Sequence, residues 1–388
     1  DGESVMNGAT ITNRRCFLRR LAVAGAAAGV ASFSRGAGAV GLSDARASEP
    51  TTAHSRVAVM HGDDRRENIF RALRVFEKQI ARDIADRLVV IKPNNVAIDI
   101  QLSATHADAI EGILEFLKSI GKVRQAVIAE SAANGPTLEG FSNYGYTKLA
   151  ERYGVKLINL DKQEVETVWV FDQQDFRPRS ARLSKMLLDR RNYIISAAKM
   201  KTHDRVVATL SLKNMVFGAP IKDEGFRWGG KGKPGAKNDK PIVHGSGFRA
   251  LNYNLFALAP RLHPHLAVID GYDGMEGNGP TAGTAVDHRI CVVSPDWLAA
   301  DRVAVELMGI DFSTVGYLNF CGQAGFGQTD LARIEIVGEP IAKHIRRYQL
   351  HKNIEQQLIW MKPAQVTGNY RSRPGSAELF APCSGMLG

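Results

Sequence analysis

Tyr193-Ile194-Ile195-Ser196-Ala197-Ala198-Lys199-Met200-Lys201-Thr202-His203 opens the stretch that decides the fold, and Ser211-Leu212-Lys213-Asn214-Met215-Val216-Phe217-Gly218 closes it. Residues 193–197 form an apolar run of strand length, which reads as a buried strand. Lys199, Lys201, His203, Lys213 and Asn214 then gather around a short helix-like segment whose neighbours are Val206, Val207, Leu210, Leu212, Met215 and Val216. A lysine in such a run needs a partner or a ligand, because an unpaired buried ammonium is costly.

Working outward, strand-like and helix-like segments alternate along the chain. Residues 56–60, 88–91, 126–129, 155–160, 167–171, 266–269, 290–293 and 334–337 read as further strands. Residues 67–84 read as a helix, with Ile69, Leu73, Phe76 and Ile80 at spacings of three and four. Residues 106–120 repeat that pattern with Ile110, Ile113, Leu114 and Leu117, and Gly121 stops it. Residues 146–153, 182–189, 251–262 and 297–308 complete the helices. This order predicts an α/β fold in a single large domain, its sheet mostly parallel and covered by helices on both faces. The domain is expected over residues 48–340, with 341–388 as a C-terminal extension. Residues 223–247 are Gly- and Lys-rich and read as a long loop or flap, mobile without ligand.

In open α/β sheets ligands bind beyond the carboxyl ends of the strands. Four of the predicted strand ends carry unusual polar groups. They are Lys92-Pro93-Asn94-Asn95, Glu130-Ser131 with Asn134, Lys199 to His203, and Asp270-Gly271-Tyr272-Asp273-Gly274-Met275-Glu276-Gly277-Asn278-Gly279-Pro280. A parallel sheet would gather them on one edge, with Lys201 and Lys213 facing Glu130, Asp270 or Glu276. Lys201, His203, Lys213 and Glu276 are the candidate catalytic groups. Lys92, Asn94, Asn95, Glu130, Asn134, Lys199, Asn214 and Asn278 are candidates for holding the ligand. Asp270 and Glu276 offer hard oxygen ligands to a divalent metal, although their spacing is not that of an EF-hand. Each stretch also fits a plainer role, since Pro, Asn and Asp-Gly favour turns and Glu130 could cap a helix or pair with a lysine. No P-loop, G-x-S-x-G or H-E-x-x-H pattern occurs. Gly277-Asn278-Gly279-Pro280-Thr281-Ala282 formally fits G-x-G-x-x-A, but Pro280 interrupts it.

The 388 residues carry a net charge of +10. Six arginines against three acids put +3 of this in residues 1–47, leaving +7 for the rest. A mildly basic body suits an anionic small molecule. Nucleic acid is not expected, since no basic helix is interleaved with aromatics. Cys16, Cys291, Cys321 and Cys383 make no C-x-x-C pair, so no cysteine-ligated iron–sulfur cluster is expected. Asn13-Arg14-Arg15-Cys16-Phe17-Leu18-Arg19, followed by a weakly apolar run to about residue 33, looks like a twin-arginine signal. That reading implies folded export by the twin-arginine machinery to a periplasmic or extracytoplasmic location. Membrane contact would then come only through the signal segment, residues 1–47. Ala45-Arg46-Ala47 is the expected cleavage site, Ala37-Gly38-Ala39 the alternative, and an uncleaved anchor a further one.

The Lys92-Pro93-Asn94-Asn95 loop, Lys199-Met200-Lys201-Thr202-His203, Ser211 to Gly218, Asp270 to Pro280 and the segment around Ala300-Asp301 together resemble the family called domain of unknown function 362. The resemblance covers most of residues 55–340. It implies an α/β domain with no settled activity. Many members of that family carry cysteine-rich ferredoxin-like segments, and this sequence shows no such cysteine pattern. The functional expectation is an enzyme acting on an anionic small molecule, with a divalent metal as an option. A non-catalytic ligand-binding or accessory protein is the alternative, and a redox partner a weaker one.

Overall fold

The computed structural model describes residues 54–228 and 232–362. The expected signal segment, three residues of the expected flap and the end of the expected C-terminal extension therefore lie outside the described residues. In chain order, β1 (Ser55–His61) is followed by α1 (Arg65–Arg74) and α2 (Glu77–Ile84), then β2 (Val89–Lys92) by α3 (Ala107–Ser119). Next come β3 (Ala126–Glu130), α4 (Thr137–Asn143), α5 (Tyr146–Tyr153), β4 (Lys156–Asn159), β5 (Val165–Asp172), β6 (Arg177–Ser184) and α6 (Lys185–Leu188). The second half holds β7 (Tyr193–His203), β8 (Val207–Thr209), α7 (Ser211–Gly218), α8 (Lys240–Val243) and α9 (Phe248–Leu262). It closes with β9 (Leu266–Asn278), β10 (Ala282–Ser294), α10 (Trp297–Leu307), α11 (Gly316–Gln323) and β11 (Ile334–Gly338).

The main sheet runs β11-β1-β10-β9-β7-β2-β3-β4, with β8 added to the end of β7. β9, β7, β2, β3 and β4 form one parallel block, and β10 runs antiparallel to both β9 and β1. The α/β expectation therefore holds, with a mixed but mostly parallel sheet. The block is parallel because β2, β3 and the first halves of β7 and β9 are apolar runs buried on both faces and reached by helical crossovers, with β4 as a more exposed edge. One face packs on α1, α2, α3 and α5, through residues such as Ile69, Leu73, Ile80, Ile113, Leu117 and Tyr146. The other packs on α7, α9, α10 and α11, through Leu212, Met215, Leu251, Leu255, Val303 and Leu318. β2 crosses over to β3 on one side, while β7 crosses over to β9 on the other. The crevice between the ends of β2 and β7 is thus the switch point at which such sheets bind ligands.

Four local expectations change. The helix over 67–84 is two helices, because Phe76 N–H bonds to the Leu73 carbonyl at 3.0 Å and breaks the run; the bend lets Ile69 and Leu73, then Ile80 and Ile84, all reach the core. Residues 182–184 belong to β6, which pairs only with β5 in a separate two-stranded sheet. Only Ala181, Leu183 and Ser184 are buried in β6, so its alternation is hard to see. β7 does not stop at residue 197 but runs to His203, buried along its whole length. Lys199, Lys201 and His203 are therefore strand residues, and the helix begins only at Ser211. Likewise the acidic stretch from Asp270 to Asn278 is strand, because it pairs with β10 rather than forming a loop.

Candidate functional site

The site is built on Lys92, the last residue of β2. Its ammonium donates to Pro93 O at 2.8 Å, Glu130 Oε2 at 2.9 Å and Asn214 Oδ1 at 2.9 Å. Three acceptors match the three N–H bonds of a charged lysine. Burial pushes the Lys92 pKa down, and the Glu130 carboxylate opposes it. We take the pair as ionised, because Glu130 also accepts the N–H of Asn95 at 3.0 Å and of Ser131 at 2.8 Å. The side chain of Asn214 is likewise saturated. Its oxygen takes Lys92 and Asn94, and its amide donates to Lys92 O at 3.1 Å and Ser196 Oγ at 3.0 Å.

Asn214 and Lys213 are delivered by α7. The helix is anchored by Asp301 of α10, whose buried carboxylate accepts the N–H groups of Ser211 at 2.8 Å and Leu212 at 3.1 Å. Burial pushes the Asp301 carboxyl up to about 7, although both hydrogen bonds oppose the shift. Gly218 ends α7 beside Lys92. A Cβ there would fall 1.8 Å from Lys92 Cε. Gly218→Ala should displace Lys92 from its three acceptors and cost ~1–3 kcal/mol, as overpacking does. Urea unfolding measures this; a wild-type midpoint would contradict the packing.

Above this frame lies a cavity of about 200 Å³ lined by residues that include Lys92, Asn94, Asn95, Glu130, His203 and Lys213. The lining also includes Arg205, Trp228, Lys240, His244 and Pro280, none of them a candidate site residue in the sequence. Lys213 is 5% exposed, and its Nζ lies 4.7 Å from the centre of the Phe217 ring. Nζ makes no hydrogen bond or ion pair within the described residues. Burial lowers the Lys213 pKa to about 7, with Lys92 adding to the shift and Asp204 opposing it. Asn95 Oδ1 lies 3.4 Å from the Tyr146 hydroxyl, whose proton goes to Thr105 O at 2.5 Å, and Asn95 Nδ2 is buried with no partner. Lys213 Nζ and Asn95 Nδ2 are both buried donors without a hydrogen-bond partner among the described residues.

The neighbouring groups are engaged. Lys240 donates to Phe217 O at 3.1 Å and Pro220 O at 2.6 Å, and burial lowers its pKa to about 7. His244 Nδ1 lies 2.8 Å from Lys240 O, which puts a proton on Nδ1 and leaves Nε2 as an acceptor. Burial holds its pKa at about 4. His203 Nδ1 takes the Arg205 N–H at 3.0 Å, so its proton sits on Nε2, while the Asp204 carboxylate stands 3.1 Å from the same Nδ1. Burial, then Lys213, keeps His203 uncharged. The Trp228 indole N–H donates to Ala133 O at 3.1 Å and ties the 223–247 segment across the cavity mouth. That segment is further fastened by Arg182 to Asp223 and Asp239. Lys240 is thus wall, not mobile flap.

Lys201 does not line the cavity. Its Nζ donates to Asn94 Oδ1 at 2.6 Å and to Ser103 O. Burial, followed by the charges of Lys213, Lys199 and Lys92, drives its pKa well down. Two acceptors suit the two N–H bonds of a neutral amine. The expected opposite charges for Lys201 and Lys213 are therefore not there: Glu130 is taken by Lys92, and Asp270 by Lys199.

Lys199 and Asp270 form a second buried centre 3.4 Å apart, completed by Arg65 of α1, which reaches Asp270 at 3.3 Å and also bonds Asp273. Against the effect of burial, Lys199 and Arg65 hold the Asp270 carboxyl below the usual carboxylate range. Glu276 is not brought to the cavity; it is partly exposed and accepts the Gln349 N–H at 2.8 Å. Asp270 and Glu276 thus have separate partners and do not form a metal pair. Among the described residues no group of three or more His, Cys, Asp or Glu could hold a metal. Asn134 and Asn278 are exposed and do not line the cavity. What the Asp270–Pro280 motif does supply is Pro280 at the rim. Gly279 permits this approach, since a Cβ there would lie 2.1 Å from Thr202 O.

The sequence model of the family described as Domain of unknown function (DUF362) matches residues 89–306. The chain belongs to that family. The match runs from β2 through α10, so the cavity wall from Lys92 to Pro280 and the anchoring Asp301 all fall within the DUF362 domain. β1, α1 with Arg65, and β11 lie outside it. A thylakoid-associated protein of Synechocystis sp. is 23% identical over 211 residues, which cover 54% of this chain and 59% of that protein. The chain thus spans about three fifths of the length of that curated relative.

Proposed function

We propose that the cavity at the β2–β7 switch point is the active site of an enzyme that takes a small anionic molecule, with Lys213 and Asn95 as the groups that meet it. What supports the reading is that both donors are buried, unpaired and belong to residues lining one cavity. A cation and an amide N–H in one cavity suit an anion. No metal enters this reading, because the acids first expected to hold one are paired elsewhere.

The pH dependence tests it. Lys213 has a folded pKa near 7, below its unfolded value of 10.5. Between those values the unfolded chain binds the extra proton, so this group makes stability rise with pH, by up to ~1.4 kcal/mol per unit. A bound anion favours the ammonium, so its affinity should fall about tenfold per pH unit above 7. Thermal shift with sulfate, phosphate and small carboxylates should be large at pH 6 and fade by pH 9. Lys240 titrates in the same range, so the difference between wild type and Lys213→Met isolates Lys213. A pH-independent shift, or none, would defeat the proposal.

We also propose folded export through the twin-arginine route to an extracytoplasmic location. Arg14-Arg15 and the apolar run after them support it. No helix among the described residues is long and apolar enough to cross a membrane. Replacing Arg14 and Arg15 with Lys should leave precursor in the cytoplasm, and unimpaired export would sink the idea.

A further inference from the structure

Among the described residues five lysines lie on or beside the cavity, and four are spoken for. Lys92 is saturated by three acceptors, Lys201 by two, Lys240 by two carbonyls, and Lys199 faces Asp270. Only Lys213 opens onto the cavity with its nitrogen uncommitted. Its surroundings are an aromatic face, a saturated ammonium and the two uncharged imidazoles of His203 and His244. None of these offers an ion pair; Asp204 lines the same cavity and raises the Lys213 pKa, but its carboxylate is not within ion-pair distance. A lysine desolvated beside another cation, here Lys92, is the arrangement of an amine nucleophile.

We infer that Lys213 forms an imine with the carbonyl carbon of a small oxo acid. This rests on the anion-binding reading above and names the substrate class for the same site. The cavity of about 200 Å³ is smaller than the roughly 300–1,000 Å³ of drug-sized pockets, which suits a molecule of a few carbons. The carboxylate is met by the unpaired Asn95 Nδ2 and by Arg205, whose residues both line the cavity. The Lys213 nitrogen lone pair attacks the carbonyl carbon, forming the C–N bond, and the π pair moves to oxygen. His203 Nε2–H is a donor for that oxygen, as a neutral imidazole can be. The C–O bond then breaks, and the two nitrogen-bound hydrogens leave with the oxygen as water. His244 Nε2 is the acceptor through which one of them passes. The product is the imine, and no oxidant or reductant is consumed. Lys213 populates the free amine near neutral pH, as the step requires.

Incubating the folded protein with glyoxylate or pyruvate and sodium borohydride should give a single reduced adduct, mapped to Lys213 by peptide mass spectrometry. Sulfate should protect against it. Lys213→Arg cannot form the imine, so it should lose the adduct. Acetic anhydride labelling of the wild type gives a readout that needs no variant: Lys213 should react with a midpoint near pH 7, and the surface lysines higher. No adduct at Lys213 while sulfate still stabilises the wild type would overturn the imine and leave the anion site standing. Labelling spread over surface lysines would overturn the imine as well. No adduct and no sulfate effect would overturn both.

Discussion

Lys213→Met should lose anion binding almost completely while the chain stays folded, with a thermal midpoint at or above that of the wild type at pH 6. Methionine keeps the length and apolar stem of lysine and fits beside Phe217. It removes a cation whose burial is not repaid by any ion pair, so the fold has no partner to lose. A charge-assisted hydrogen bond is worth ~1.5–3 kcal/mol, so affinity for a small anion should fall about 10- to 100-fold. The rise of wild-type stability above pH 7 should flatten in the variant, leaving the share that Lys240 contributes. Calorimetry with sulfate at pH 6, paired with urea unfolding across pH 6–10, reads both effects. Retained affinity would remove Lys213 from the site.

Glu130→Gln should be the most destabilising conservative change in the molecule, by ~3–5 kcal/mol. Glu130 and Lys92 are each 1% exposed, and removing one partner of a buried pair leaves the other charge uncompensated. The substitution also turns an acceptor-only carboxylate into a group with an NH2. Glu130 accepts from Lys92, the Asn95 N–H and the Ser131 N–H, so one of these donors must face another donor. Losing the Asn95 contact would free the loop that carries Asn95, so anion binding should suffer too. In the double variant Lys92→Met/Glu130→Gln much of the cost should return, because no isolated charge remains. Urea unfolding of the two single variants and the double decides it; additive losses would mean that the pair is not coupled.

Most of the fold was legible because the parallel block is written as short apolar runs between periodic helices. Leu88 to Ile91 and Ala126 to Ala129 are of this kind, and they end where the polar groups begin. That punctuation also located the Lys92, Glu130 and Lys213 stretches on one edge. It failed where a strand continues through charged residues. Lys199, Lys201 and His203 look like a loop, but Lys199 meets Asp270 and Lys201 meets Asn94 and Ser103, so β7 carries on. Asp270 to Asn278 looks like a glycine-rich ligand loop, yet its partner strand β10 lies just beyond Pro280. Once that stretch is a strand, Glu276 is directed by strand pairing and not by the ligand, and it meets Gln349. The pairing of charges was also unreadable. Arg65 lies more than two hundred residues from Asp270, and Lys240 and His244 reach the cavity only because the 223–247 segment folds back under Trp228. Asn95 could be named as a candidate from its place after β2, but that its Nδ2 is buried without a partner depends on the packing around it.

The most direct measurement is anomalous diffraction from crystals soaked in selenate at pH 6, for the wild type and Lys213→Met. The account predicts a selenium peak within hydrogen-bond distance of Lys213 Nζ and Asn95 Nδ2, absent from the variant. A cavity without selenium in the wild type, or a peak that survives the substitution unchanged, would contradict it.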